Sequence, residues 1–122
     1  MRPPVKLRDV RLARLPVKLR AARLGVETER NLVLSTWLRS ECDAPVGRWL
    51  GSRYYQVREP YLKETVIPRS TITIAHLPGS DDAIVGWMAS EHGVPLMLFV
   101  KMKFDEAKLD VETQLLAALE AA

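Results

Sequence analysis

Few side chains in this 122-residue sequence are of types that do acid–base or covalent chemistry, since it holds two histidines and one cysteine. Glu91 and His92 are adjacent, and either could act as general base for an amine if it came within hydrogen-bond reach of the proton. The string Glu91-His92-Gly93 also reads as a polar hairpin turn. His76 closes a β-branched run, where a solvated or internally bonded imidazole is the ordinary outcome. Cys42 would need a basic partner and a depressed pKa to be a nucleophile, and otherwise behaves as a small apolar side chain. These residues form no metal-ligand spacing and no internal disulfide.

A second kind of chemistry is electrostatic. Residues 1–24 carry Arg2, Lys6, Arg8, Arg11, Arg14, Lys18, Arg20 and Arg23 against Asp9 alone, so this segment is +7 and residues 25–122 are −4. Such a stretch suits an acidic partner surface or nucleic acid, and equally the solvated face of an edge strand. Residues 48–61 interleave Arg48, Arg53 and Arg58 with Trp49, Tyr54, Tyr55 and Tyr61. Aromatic faces can stack bases while guanidinium groups meet phosphates. Alternatively the aromatics anchor a loop to the core while the arginines face water.

The elements that position these residues follow from patterning. Val5, Leu7, Val10 and Leu12 alternate with basic residues as in a strand, and Pro4-Val5-Lys6-Leu7-Arg8 recurs as Pro16-Val17-Lys18-Leu19-Arg20. Leu12, Leu15 and Leu19 also fit helical spacing, so the period is ambiguous. Thr28 can cap a helix carrying Leu34, Trp37 and Leu38 to about Ser40. Asp43 to Gly47 predicts a break and a loop, followed by a short helix from Pro60 to Val66 that Pro68 stops. Thr71–Leu77, Ala83–Ser90 and Leu96–Met102 read as three consecutive strands joined by turns at Pro78–Asp82 and His92–Pro95. The third, nearly all apolar, is expected to be buried on both faces. Asp105 then caps a helix with Val111, Leu115 and Leu119 at four-residue spacing and an acidic surface. The expectation is an α+β domain, an antiparallel meander covered by helices, with residues 1–24 as a basic strand or arm and 25–122 as the core.

This order resembles the GNAT superfamily of acyl-CoA-dependent N-acyltransferases, especially small GNAT-like proteins of tailed bacteriophages. The resemblance spans about residues 27–104. It rests on Asn31-Leu32-Val33-Leu34-Ser35-Thr36-Trp37-Leu38-Arg39-Ser40, on Tyr54-Tyr55, and on Ile72–Leu77 paired with Ala83–Ser90 around Ile84-Val85-Gly86-Trp87. It implies that Leu96–Phe104 is the fourth GNAT strand, with the C-terminal half of the usual fold missing. In an active member, Val100 and Met102 would offer backbone groups to the pantetheine arm of acetyl-CoA, with Glu91 or His92 as base.

The sequence departs from that family where phosphates should bind. The family's glycine-rich loop lets backbone N–H groups and a helix N-terminus hold the pyrophosphate. Here Met102-Lys103-Phe104-Asp105-Glu106-Ala107-Lys108 stands in its place, and Asp105 and Glu106 oppose an anion. The expectation is therefore a non-catalytic protein without cofactor, acting by binding other phage structural proteins or itself. Lys6, Arg8, Arg11, Arg14, Lys18, Arg20 and Arg23 would form the contact with a partner or nucleic acid. The alternative is an N-acetyltransferase using acetyl-CoA on a primary amine. A secretory signal is excluded by basic residues every few positions, and no apolar run reaches the roughly 18 residues of a membrane span. The expected location is the host bacterial cytoplasm, with packaging in the virion open.

Overall fold

The computed structural model describes residues 13–121. Its sheet has four strands, β1 Lys18–Ala21, β2 Thr71–His76, β3 Ile84–Glu91 and β4 Val94–Val100, in that spatial order and antiparallel throughout. Between β1 and β2 lie α1 Glu27–Cys42, α2 Pro45–Leu50, α3 Ser52–Tyr61 and the last turn α4 Ile67–Arg69, with a wide π turn at Leu62–Val66. After β4 a 3-10 segment, Met102–Ala107, leads into α5, Lys108–Ala121. No helix among the described residues is long and apolar enough to cross a membrane.

The alternation of the strands divides the core in two. On one face Ile72, Ile74, Trp87 and Ala89 pack against Val33, Trp37 and Leu38 of α1 and against Leu62 and Ile67. On the other face Ala75, Val85, Met88 and Val100 pack against Val111 and Leu115 of α5, with Leu15 and Val17 at the margin. Val85 and Trp87 face opposite layers although they are two apart, because Val85 is an extra residue in the β2–β3 register, a bulge that reverses the alternation.

Several sequence expectations are corrected here. Of the two readings of the basic N-terminal segment, strand or arm, residues 18–21 take the edge strand. β1 pairs with β2, and Ala22 and Leu24 pack against the first cluster. α1 starts at Glu27 with Val26 before it, and Thr28 makes no capping bond. The segment from Pro45 to Arg69 is helical rather than a loop with one short helix. Pro45 is the first residue of α2, where its missing N–H costs nothing. Gly51, at φ 61°, makes the left-handed corner into α3. Pro60 lies inside α3, and directly after it the helix widens into the π turn, which accommodates the lost hydrogen bond.

β4 is also not buried on both faces. Val94, Pro95 and Leu96 are exposed, Met97 to Phe99 are half-buried, and Val100 alone is buried. It is the last strand of the sheet, with a second bulge where Leu96 interrupts the β3–β4 register. At Gly86 the sheet is tightest: a Cβ there would run into the Phe99 carbonyl and the Val100 Cα. Gly86→Ala is therefore expected to destabilise the fold by about 2 kcal/mol or more. A urea midpoint equal to that of the parent chain would show that β4 moves freely away.

Candidate functional site

A cleft of about 400 Å³ lies where the C-terminal end of α1 meets the end of β4. Thr36, Arg39, Ser40 and Asp43 line one wall, Leu98 to Met102 the other, and Asp105 and Lys108 close it. The backbone of β4 is presented to this region for a simple reason. Lys101 donates its N–H to the Val85 carbonyl at 2.8 Å, which makes 85 and 101 a hydrogen-bonded pair of the antiparallel ladder. Val100 faces Gly86 and Leu98 faces Met88 in the alternate, non-bonded positions. The N–H and C=O groups of Leu98 and Val100 therefore point away from β3, toward the free edge.

The cleft is electrostatically mixed. Arg39, Lys101 and Lys108 supply three cations and Asp43 and Asp105 two carboxylates, and none of the five joins an ion pair among the described residues. The turn that closes it uses its own amides: Phe104 N–H bonds the Lys101 carbonyl at 2.8 Å, and Lys108 N–H bonds the Asp105 carbonyl. Beneath the cleft, Thr36 Oγ1 donates to the Leu32 carbonyl at 2.6 Å and accepts the indole N–H of Trp87 at 2.8 Å. Trp87 lies 5.5 Å from Trp37 and 6.1 Å from Phe99, ring centre to ring centre. A wall of the cleft is thus continuous with the aromatic core.

Of the sequence-derived site residues, Val100 and Met102 lie in this cleft. Glu91 and His92 do not. They sit at the β3–β4 hairpin, where His92 and Gly93 both take positive φ, 52° and 77°, as a two-residue turn requires. Glu91 pairs with Val94 at one end of β4 and Gly86 with Val100 at the other, about 20 Å away at ~3.3 Å per residue. The His92 side chain is 90% exposed, and Glu91 lies 3.5 Å from Arg69 and 3.8 Å from His92. No base at the hairpin can reach chemistry at the cleft.

Lys6, Arg8 and Arg11 fall outside the described residues. Arg14 and Lys18 are exposed. Arg20 and Arg23 both have acidic partners in the fold, with Arg23 still 46% exposed. Arg20 makes a two-pronged contact with Glu29 at 2.8 and 2.9 Å and also donates to the Asp81 carbonyl. Arg23 bonds the Asp81 carboxylate at 3.0 Å, and its backbone N–H donates to Glu29. Glu29 is almost wholly buried, and the hydrogen bonds from Arg20, opposed by burial and aided by Arg23, hold its carboxyl below the usual range.

The sequence reading missed Glu29 and a second carboxylate, Glu41. Burial alone would raise the Glu41 pKa, but bonds from Arg58, Tyr54 and Trp37 outweigh it and lower it. Arg58 Nε and Nη2 donate at 2.9 and 3.0 Å, Tyr54 Oη at 2.7 Å and Trp37 Nε1 at 3.1 Å, tying α3 to α1. The only signal in the sequence was spacing: Trp37 and Glu41, and Tyr54 and Arg58, are each four apart on a helix. Of the interleaved aromatics, Tyr54 is an anchor as one reading expected. Trp49, Tyr55 and Tyr61 are not, being 86%, 40% and 50% exposed.

No family model, curated protein or solved structure matches the chain.

The Glu29 pair sets a pH dependence. A carboxyl with a depressed folded pKa adds stability that is complete above its unfolded value and is lost as pH falls through the folded one. Glu29→Gln should cost about 3 kcal/mol near neutrality and flatten the loss of stability between pH 7 and acid. Parallel stability-versus-pH curves for the parent and Glu29→Gln would refute this role.

Proposed function

We propose that this chain is a GNAT-like scaffold, encoded by a tailed bacteriophage, that works by binding rather than by acyl transfer, as a structural or assembly protein in the host cytoplasm or the virion. The observation that supports the reading is an open β4 edge beside a turn that uses the Phe104 and Lys108 amides internally and sets Asp105 at the cleft. An acyl-CoA arm needs both the strand edge and the phosphate site. The edge is present in the outward N–H and C=O groups of Leu98 and Val100. At the phosphate position the Phe104 and Lys108 amides are spent on their own turn and Asp105 adds a negative charge. What remains is an exposed strand edge suited to a polypeptide, which supplies the same alternating donors and acceptors.

The second reading, an acetyl-CoA-dependent N-acetyltransferase, is favoured by one feature, the cations Arg39, Lys101 and Lys108 around the cleft. The bases the sequence offered for it, Glu91 and His92, are at the far end of β4.

Titration calorimetry with acetyl-CoA separates the two. The parent chain is expected to show no saturable heat, and Asp105→Gly combined with Glu106→Gly is expected to gain weak binding. Micromolar binding by the parent chain would return the transferase to first place.

A further inference from the structure

Two helical surfaces on opposite layers of this molecule are apolar, exposed and opposite in charge. On the α1 side of the sheet, α3 is tied to α1 by Tyr54 and Arg58, through Glu41, and has no fully buried residue. Beside that contact Trp49 is 86% exposed, Val57 75%, Tyr61 50% and Leu50 38%. Trp49, Leu50 and Arg53 form a shallow concavity of about 320 Å³. Arg48 and Arg53 supply positive charge there and join no ion pair among the described residues. Exposed apolar groups gathered in this way, rimmed by charge, mark contact surfaces.

On the other side, α5 buries Val111 and Leu115 and turns a second stripe outward. Leu109, Glu112, Leu116 and Glu120 follow at i, i+3, i+7 and i+11, with Leu109 61% and Leu116 38% exposed. Glu112 and Glu120 join no ion pair among the described residues, and the last turn holds no basic residue.

The described part of the basic N-terminal segment leaves this stripe uncovered. Leu15 and Val17 already lie along the inner flank of α5, bonded to Asp110 and Gln114, and Arg20 and Arg23 are spent within the chain.

We propose that the α2–α3 surface of one copy docks on the α5 stripe of the next, with Leu109 and Leu116 against Trp49, Val57 and Tyr61, and Arg48 and Arg53 facing Glu112 and Glu120. The occupant is a second copy of this chain, because one molecule carries both complementary surfaces. They lie on opposite layers, so the contact is head-to-tail and adds copies in a row unless the rotation closes a ring. This rests on the reading of the chain as a binding protein and names its partner.

Sedimentation velocity on the full chain tests it. Association beyond a dimer, rising with concentration, is expected at low salt and should weaken at about 1 M salt, where the Debye length is about 3 Å. Trp49→Ser with Arg53→Glu blocks one surface; Leu109→Lys with Leu116→Lys blocks the other. Each variant alone should associate at least about tenfold more weakly, while their equimolar mixture should form a heterodimer and stop there. The charge-only variants Arg53→Glu and Glu112→Arg should repeat this without altering apolar groups. A parent chain that stays monomeric, or variants that do not complement, would overturn the proposal. So would a monomer that binds a single-stranded oligonucleotide through Trp49 and Arg53, which would assign that surface to nucleic acid. Acetyl-CoA titrations on the same samples separate this failure from failure of the binding reading, since none of the substituted residues lines the β4 cleft.

Discussion

The arrangement of the sheet depends on one buried ion pair. Glu29 sits in the first turn of α1 and Arg20 on β1, and their contact also draws in the backbone of Arg23 and, through Arg20, the turn between β2 and β3 at Asp81. The Glu29 carboxylate takes bonds from Arg20 and Arg23, and Arg20 links it to the Asp81 turn some 60 residues away. Burying two charges is costly, and the cost is offset only when the remaining donors and acceptors are satisfied; no buried side-chain polar atom among the described residues is left without a partner. The clasp fixes β1 on the edge of β2, and β1 in turn brings Leu15 and Val17 onto α5.

That clasp explains why two of the basic residues counted along the N-terminal stretch, Arg20 and Arg23, meet acidic partners within the fold. Counting charges along the chain left residues 1–24 open as a basic edge strand or a contact arm. In the fold, Arg20 is nearly buried and Arg23 faces Asp81 and Asp82 across a turn. Partners some 60 residues apart leave no trace in a linear reading. Exposed positive charge on the described surface is spread from Arg14 and Lys18 to Arg48 and Arg53, the latter two on helices the sequence presented as a loop.

The central strands and the two covering helices were legible because their signals are local. Thr71–His76 alternates β-branched residues, Val111 and Leu115 keep helical spacing, and the fold class follows from their order. The region from Pro45 to Arg69 was illegible because its prolines and glycine read as breaks. Tertiary contacts to Glu41 and the widened turn after Pro60 override those local preferences. At the cleft, Val100 and Met102 were named only through the family resemblance; β4 ends at Val100, so Met102 falls in the 3-10 segment that follows, and Glu91 and His92 could not be separated from them until the length of β4 was known.

The account turns on whether the β4 edge receives a cofactor or a polypeptide. The most direct measurement follows the amide resonances of Leu98 and Val100 and the indole resonance of Trp87 by heteronuclear NMR while acetyl-CoA is added. The outward amides and the indole bonded to Thr36 report on opposite sides of the same cleft. We predict that all three stay in place at millimolar ligand. Saturable, concerted shifts of the three would contradict the account and establish the cleft as an acyl-CoA site.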